Sequence, residues 1–325
     1  MDALGIRLTN WRNQTGGIDV KIELGYACLN TSVTIKMKTL RLKTYLEKGN
    51  EYLKELVLHN LNYLMECLKW NKENQVFFFR VSSDLVPLAT HHEMSFVWQE
   101  DPDILAKCRE IKAFAKLNGM RLSMHPGQYT LLNSHREEVL LRSVEDLEYH
   151  RQMAELLGVT DLILHVGGVY GDKSQAVRRW VEAWETLSQG VKDRLRLEND
   201  EKSYTIREVL EISDKTGIPA VLDFHHHRIL PSMDTREALI KAVESWSGIG
   251  IPKVHLSSGK VSELDPKHHD LIHRTDYEMA CEYFQWLPKE HKKIYLMLEA
   301  KKKEQSILKL RDQGDRPRGL TDPAV

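Results

Sequence analysis

Eight short apolar runs recur along the chain, and longer stretches with helical periodicity separate them. Helical stretches span 52–70, 102–118 and 136–158, and Gly158 ends the last one, as glycine commonly ends a helix. Runs that are apolar throughout are typical of parallel strands buried on both faces, and eight such strands close a barrel. The sequence therefore predicts an α/β fold, a single (β/α)8 TIM barrel. The runs are "IELGYACL" (22–29), "VFFFRV" (76–81), "MRLSMH" (120–125), "DLILHV" (161–166), "LRLEN" (195–199), "PAVLDF" (219–224), "PKVHLS" (252–257) and "IYLMLEA" (294–300).

A doubly wound open sheet is the alternative fold, but the first run lacks the following G-x-G-x-x-G motif that would favour it. A chain of 325 residues is long enough for one barrel. We expect the barrel domain to cover 21–311. Residues 1–20 are then an N-terminal extension outside the fold, and 312–325 form a polar C-terminal tail.

Charge and cysteine usage narrow the class of protein. The 46 Lys and Arg residues balance 47 Asp and Glu residues, which excludes a strongly basic nucleic-acid coat but leaves room for a local basic patch. Four widely spaced cysteines without a C-x-x-C motif are typical of reduced, cytosolic chains. No apolar run approaches the roughly 20 residues of a membrane span. We therefore expect a cytoplasmic protein with no membrane partner and no obligate protein partner.

Six of the eight runs end in side chains that commonly bind metals. Strand ends in a barrel meet at one mouth, where barrel enzymes build their sites. Burying so many carboxylates and imidazoles there without a metal would leave unpaired charge, at a cost of several kcal/mol each. Within "HHH" (225–227), strand alternation would turn only some rings to the mouth, and we favour His226. The strand-end set is His125, His165, Glu198, Asp223 with His226, His255 and Glu299, to which His91 or His92 and His268 or His269 add further candidates.

The size and chemistry of this set predict a metal cluster. More than four ligands require more than one ion, since a tetrahedral zinc site is full at four. Imidazoles and carboxylates without thiolates fit Mn²⁺, Zn²⁺ or Fe²⁺. Two or three such ions could activate water against a phosphodiester, or polarise a sugar for isomerisation. The ligands alone leave both chemistries open.

The segments that carry these residues form an ordered series of motifs: "LGYACLN" (24–30), "FRVSSDLVPLATH" (79–91), "MHPGQYTLLNS" (124–134), "LHVGGVYGDK" (164–173), "LENDEKSYT" (197–205), "DFHHHR" (223–228), "PKVHLSS" (252–258) and "MLEAKKK" (297–303). As a set they resemble the UV damage endonuclease family, whose barrels are related to endonuclease IV. The resemblance extends from about Ile22 to Leu310.

The resemblance implies an enzyme that nicks double-stranded DNA immediately 5′ to UV photoproducts without ATP, usually supported by Mn²⁺. The family pattern is similar to a single His followed by Pro where this chain has His91-His92-Glu93, and to His-x-Asp where it has His268-His269-Asp270. We choose His91 and His268. The ligand set that the resemblance implies is His91, His125, His165, Glu198, Asp223, His226, His255, His268 and Glu299.

Two regions near the predicted mouth are candidates for DNA contact. A loop after the first strand carries four basic residues that suit phosphate contacts, which we call the basic strip: Lys36, Lys38, Arg41 and Lys43. Gln128 and Tyr129 follow a Pro-Gly turn that would project them from the mouth, and similar residues of the family insert into the duplex opposite the lesion. Tyr26 and Asn30, at the end of the first strand, resemble pocket residues.

The predicted catalytic residues are Glu198, Glu299, His255 and Lys253. Lys253 lies two residues before His255, so both side chains should face the same side of the strand. Because cations repel a neighbouring ammonium, we expect Lys253 to be neutral, or carboxylated and therefore anionic. An abasic-site endonuclease, a sugar isomerase and a non-catalytic metal-binding module are the alternatives. The basic strip and the projecting Gln-Tyr pair disfavour an isomerase, and ligands on so many strand ends disfavour a binding module.

Overall fold

Eight parallel strands form a closed barrel, in which β1 pairs with both β2 and β8. The computed structural model describes residues 20–314. The predicted TIM barrel is confirmed, and the open sheet is excluded because its two edges would not pair. The strands are β1 (Lys21–Cys28), β2 (Phe78–Val81), β3 (Arg121–Met124), β4 (Asp161–His165), β5 (Leu195–Glu198), β6 (Ala220–Asp223), β7 (Lys253–Leu256) and β8 (Lys293–Leu298).

Helices cover the outside of the barrel, and local sequence sets their ends. The Asp101 side chain accepts hydrogen bonds from the first backbone N–H groups of α2, and Pro102 is its first residue. Gly158 ends α3 in the left-handed conformation, as predicted. The first helix begins at Leu42, earlier than predicted, and bends at Gly49, whose φ is 76°. The helices are α1 (Leu42–Glu73), α2 (Pro102–Leu117), α3 (Glu137–Leu157), α4 (Lys173–Thr186), α5 (Gln189–Lys192), α6 (Ile206–Thr216), α7 (Phe224–Ile229), α8 (Thr235–Glu244), α9 (Arg274–Phe284) and α10 (Gln305–Gly314).

The strands are buried on both faces, but the two faces differ in composition and packing. Outward residues such as Leu122, Leu162 and Leu222 join one large core with the helices. The interior holds smaller apolar clusters, including one in which Phe78 packs with Tyr295. The remaining interior positions carry charged and imidazole groups, so the barrel interior is where the chemistry is concentrated.

A buried charge cluster closes the N-terminal end of the barrel interior. Asp161 accepts hydrogen bonds from Arg121 (2.8 Å) and Arg196 (3.0 Å), and Lys253 Nζ lies 3.3 Å from its Oδ2 atom. Burial alone would raise the pKa of Asp161, but the three cations hold it well below its ordinary value. Burial lowers the pKa of Lys253 to about 7, although Asp161 acts in the opposite direction. We call these four residues the floor cluster.

Replacing Asp161 with Asn should destabilise the protein strongly. The change removes the carboxylate that pairs with two arginines, Arg121 and Arg196, and breaking a buried ion pair typically costs about 3–5 kcal/mol. The matched control is Glu66→Gln, because Glu66 pairs with Lys69 on an exposed helix face and such pairs contribute about 1 kcal/mol or less. Chemical denaturation of both variants measures the difference. Equal free energies of unfolding for the two variants would contradict the stabilising role of Asp161 in the floor cluster.

The described residues include only part of the predicted N-terminal extension and C-terminal tail. Residues 1–19 and 315–325 lie outside the described range, and with them most of the predicted extension and tail. The last helix, α10, continues to Gly314, past the boundary predicted at 311. Of the helices between residues 20 and 314, none combines the length and the apolar character needed to cross a membrane.

Candidate metal centre at the barrel mouth

The C-terminal strand ends bring five of the nine predicted ligands into two compact groups that share Glu198, and His226, His268 and Glu299 lie outside both groups. In one group, the ligand atoms of His125, His165 and Glu198 all lie within 4.8 Å of one another, and in a second group those of Glu198, Asp223 and His255 do. Glu198 belongs to both groups. A carboxylate shared in this way is suited to bridge two cations. We call the strand-end ligands, together with His226 and His268, the ligand ring.

Glu198 is fully buried and surrounded by imidazoles. Its Oε1 atom lies 2.6 Å from His255 Nδ1, and its Oε2 atom lies 3.1 Å from His125 Nε2 and 3.7 Å from His165 Nε2. Burial alone would raise the pKa of Glu198, but the imidazoles hold it well below its ordinary value. The side chain is therefore a carboxylate at neutral pH, the form that binds metals.

Unpartnered atoms at the mouth test whether these residues fit a metal. Within residues 20–314, Asp223 Oδ2, His255 Nε2 and His165 Nδ1 are buried and have no hydrogen-bond partner. Buried polar atoms in proteins are nearly always paired, so orphaned donors and acceptors on neighbouring strand ends need an explanation. Imidazole nitrogens and carboxylate oxygens fit divalent ions such as Mn²⁺, Zn²⁺ or Fe²⁺. The residues present fit a metal site.

The histidine triplet forms a short helix, so the predicted strand alternation is wrong there. Strand β6 ends at Asp223, whose side chain accepts a hydrogen bond from the His226 backbone N–H at 2.8 Å and starts α7. His226 Nδ1 donates to the Asn199 carbonyl at 3.0 Å, which fixes the ring orientation. His225 and His227 are buried and not on the surface. Burial would lower the pKa of His226, but nearby carboxylates, Asp223 foremost, raise it to about 9.

Glu201 is a mouth residue that the sequence did not reveal. Its Oε2 atom lies 3.7 Å from His226 Nε2, and the side chain also borders a cavity of about 400 Å³ beside His165. Asp200 accepts three hydrogen bonds from the backbone N–H groups of residues 202–204, which form a tight turn there. The sequence feature that could have identified Glu201 is a carboxylate three residues after the predicted ligand Glu198.

The structure favours His268 over His269 as a member of the ligand ring. His268 Nδ1 lies 4.0 Å from Glu299 Oε2, and its ring centroid lies 6.4 Å from that of His226. His269 Nδ1 instead accepts the Leu271 backbone N–H, and its ring packs on another histidine. His269 is therefore engaged in holding its own loop.

His91 belongs to neither compact ligand group. Its Nδ1 atom accepts the Glu93 backbone N–H at 3.2 Å, and its ring stacks on His92 with centroids 4.6 Å apart. His92 is exposed, whereas His91 is half-buried. His91 is the more buried of the two, and its assignment as a ligand stays a prediction.

The turn at 126–129, which we call the probe loop, projects beside the ligand ring. Tyr129 is 80% exposed, and Gln128 is also exposed. The loop is anchored at both ends. Ser83 Oγ donates to the His125 carbonyl at 2.9 Å, and Thr130 Oγ1 donates to an α3 carboxylate at 2.5 Å. An exposed tip on fixed ends suits a residue pair that contacts a large ligand.

The other predicted DNA contacts differ in accessibility. All four residues of the basic strip are exposed, although Lys36 Nζ also donates to the Val33 carbonyl at 2.6 Å. Tyr26 and Asn30 are buried, and Asn30 Nδ2 donates to the Tyr26 hydroxyl, which donates to Asn71. The structure therefore does not support a direct DNA contact by Tyr26 or Asn30, because packing between β1 and α1 encloses both side chains.

Comparisons with known proteins agree with this geometry. The family model described as "UV-endonuclease UvdE" matches residues 22–324. A protein of Clostridium perfringens named "UV DNA damage endonuclease" is 33% identical over 295 residues, which cover 89% of this chain and 69% of that protein. The crystal structure of SacUVDE superposes with a TM-score of 0.82 at 31% identity, over 90% of this chain and 97% of that one.

A more distant structure shares the fold. Endonuclease IV from Thermus thermophilus superposes with a TM-score of 0.56 at 16% identity, over 85% of this chain and 91% of that one. At that identity the likeness shows the barrel alone. The family match extends over residues 22–324, which include all eight strand ends, and the structural likeness covers 90% of the chain. The chain belongs to the UvdE family of UV-endonucleases.

Proposed function

We propose that this chain hydrolyses the phosphodiester immediately 5′ to UV photoproducts in double-stranded DNA, cyclobutane dimers and 6-4 products alike, without ATP. It uses a cluster of two or three divalent ions, with Mn²⁺ favoured over Zn²⁺ or Fe²⁺. It acts in the cytoplasm, without a membrane or an obligate protein partner. The observation that carries the proposal is Glu198, a buried carboxylate shared by two compact ligand groups beside the exposed probe loop.

The residues at the mouth would have separate roles. The His125–His165–Glu198 and Glu198–Asp223–His255 groups would hold the ions, and Glu299 lies next to them, with its Oε1 atom 3.2 Å from His255 Nδ1. Divalent ions bound there supply Lewis-acid stabilisation of the negative charge that develops on a phosphodiester. The imidazoles keep Glu198 ionised, and Arg80 followed by His255 keeps Glu299 ionised, so the carboxylates need no proton loss when they bind cations.

The surface beside the mouth would position the DNA. The exposed basic strip suits contacts with phosphates, which fix the register of a duplex without reading its sequence. Gln128 and Tyr129 would fill the gap that an extruded lesion leaves in the base stack. Damaged dinucleotides cost less to unstack than intact ones, so an inserted pair favours lesions over undamaged DNA.

Nicking of supercoiled plasmid tests the proposal. UV-irradiated, acid-depurinated and untreated plasmids are each incubated with the protein and Mn²⁺ in the absence of ATP. We expect relaxation of the irradiated plasmid far above the other two, and none after chelation of the metal. Equal nicking of the irradiated and untreated plasmids would contradict lesion specificity. Preference for the depurinated plasmid would instead indicate an abasic-site endonuclease.

We further propose that Lys253 is carboxylated on Nζ. The floor cluster contains three cationic side chains around one carboxylate. Carboxylation joins Nζ to carbon dioxide through a new N–C bond and releases two protons from the Nζ ammonium to solvent, which gives two anions for two arginines. Because His255 lies two residues further along β7, this change would also add negative charge below the ligand ring.

The Lys253 proposal predicts a ¹³C carbamate signal when the protein is equilibrated with ¹³C-bicarbonate. The signal should be absent from Lys253→Met and present in Lys21→Met, whose lysine is exposed. An unchanged signal in Lys253→Met, or no signal in the wild type, would show that Lys253 is an ordinary amine.

A further inference from the structure

We propose that Arg80 is a positioning residue of the metal centre, which orients Glu299 so that one carboxylate oxygen faces the ligand ring. The inference rests on the proposed metal centre and goes beyond its ligands, because the Arg80 guanidinium carries a positive charge and is no ligand itself. It assigns a role to a buried side chain in the wall of the barrel that contacts the ligand ring through Glu299 and belongs to neither compact ligand group.

Barrel closure brings Arg80 and Glu299 together. Arg80 lies on β2, in register with Ala27 on β1, and its side chain points into the barrel above Phe78. Glu299 directly follows β8, the other neighbour of β1. The Arg80 Nη1 atom donates to Glu299 Oε1 at 2.7 Å, across 219 residues of sequence. Both side chains are almost fully enclosed, so solvent screens the pair weakly.

The two oxygens of Glu299 have different surroundings. Oε1 accepts from Arg80 and lies 3.2 Å from His255 Nδ1. Oε2 faces the mouth, where its neighbour is His268 Nδ1 at 4.0 Å. Arg80 therefore occupies the oxygen on the wall side and leaves the other oxygen toward the ring. Charged groups that hold a ligand from behind fix its orientation, and their loss typically weakens metal binding about 10–100-fold.

Arg80 also supplies charge to its partner. Burial alone would raise the pKa of Glu299, but Arg80 and then His255 hold it well below its ordinary value. Arg80 itself is only 7% exposed, so its guanidinium is not part of the exposed surface that would contact DNA phosphates. Its Nε atom is buried and has no hydrogen-bond partner among residues 20–314. Burying a guanidinium with an unpaired Nε–H group is energetically unfavourable. Its ionic partner in the barrel wall is Glu299, which indicates that Arg80 acts through Glu299.

A double-mutant cycle on Mn²⁺ affinity tests this role without using enzymatic activity. The concentration of free Mn²⁺ is measured by its EPR signal during titration of the wild type, Arg80→Met, Glu299→Gln and the double variant. We expect Arg80→Met to weaken Mn²⁺ binding about tenfold or more, and Arg80→Lys to recover part of the loss because it keeps one charged donor. In the Glu299→Gln background, Arg80→Met should add little, since the carboxylate that Arg80 orients is already gone.

Controls distinguish the loss of Glu299 positioning from a failure to fold and from the absence of a metal centre. Arg136→Met removes an exposed arginine that pairs with Glu138 and should bind Mn²⁺ as the wild type does. Thermal melts of the metal-free proteins show whether each variant folds, and Arg80→Gln, which keeps a neutral donor, replaces Arg80→Met if that variant does not fold. Unchanged or tighter Mn²⁺ binding by the Arg80 variant, or an equal loss with and without Glu299, would overturn the inference. No Mn²⁺ binding by the wild type would overturn the metal centre, and the inference with it.

Discussion

Glu198→Gln should reduce incision of UV-damaged DNA by roughly a thousandfold or more, a loss of about 4 kcal/mol of transition-state stabilisation. The glutamine has the size of the glutamate and can still hydrogen-bond to His125 and His255, so the barrel should fold. It carries no negative charge and cannot bridge two cations. Because Glu198 belongs to both compact ligand groups, this single change affects both at once. Single-turnover rates with Mn²⁺ in excess measure the effect.

The control for Glu198 is Glu263→Gln, which removes an exposed carboxylate from the loop after β7, on the mouth side of the barrel. It should incise as the wild type does. Binding of damaged duplex by Glu198→Gln should largely survive, since the phosphate contacts of the basic strip do not depend on the ligand ring. Chelation should reduce the wild type to the level of Glu198→Gln, and added Mn²⁺ should restore the wild type only. Near-normal turnover by Glu198→Gln would refute its bridging role.

Replacing both Gln128 and Tyr129 with Ala should remove most of the preference for damaged DNA. Stacking of a base on an aromatic ring contributes about 1–3 kcal/mol, and each 1.4 kcal/mol is a factor of ten in affinity. We therefore expect binding of lesion-containing duplex to weaken about tenfold or more, while undamaged duplex binds almost as before. Because Tyr129 is 80% exposed and the loop ends are anchored through Ser83 and Thr130, the truncation should leave the fold and the metal content intact.

The matched contrast to this variant is Lys38→Gln/Lys43→Gln in the basic strip. Both lysines are exposed, and phosphate contacts do not distinguish damaged from undamaged DNA. This variant should weaken binding to both duplexes by a similar factor. It should also reduce the slope of log affinity against log salt by about 0.9 for each phosphate that a lysine no longer neutralises. If the probe-loop variant instead weakens both duplexes equally, Gln128 and Tyr129 do not touch the lesion.

The strands were predictable because the physics that forms them is local. Each is buried on both faces and is therefore a predominantly apolar run, and the observed bounds differ from the predicted ones by about two residues or fewer. Strand order and closure then follow from the count of eight. The ends of those runs also predicted that Glu198, His255 and Glu299 would meet at one mouth, since parallel strands deliver their last residues to the same end.

The errors arose where local geometry or distant contacts decide the outcome. The predicted alternation in the histidine triplet was wrong because the Asp223 side chain caps a helical turn immediately after β6, and a six-residue helix has no clear periodicity. The pairing of Arg80 with Glu299 depends on barrel closure and leaves no sequence pattern. Tyr26 appeared to be a pocket residue because it lies near a strand end, yet its side chain points outward into the core with α1.

The position of the cut is the most direct test of the account. A duplex labelled at the 5′ end of one strand and containing a single cyclobutane dimer is incubated with the protein and Mn²⁺, without ATP. We predict one labelled product that ends at the nucleotide immediately 5′ to the dimer, and no product from the undamaged duplex or after chelation. Cutting at any other position, or equal cutting of the undamaged duplex, would contradict a metal centre that incises 5′ to UV lesions.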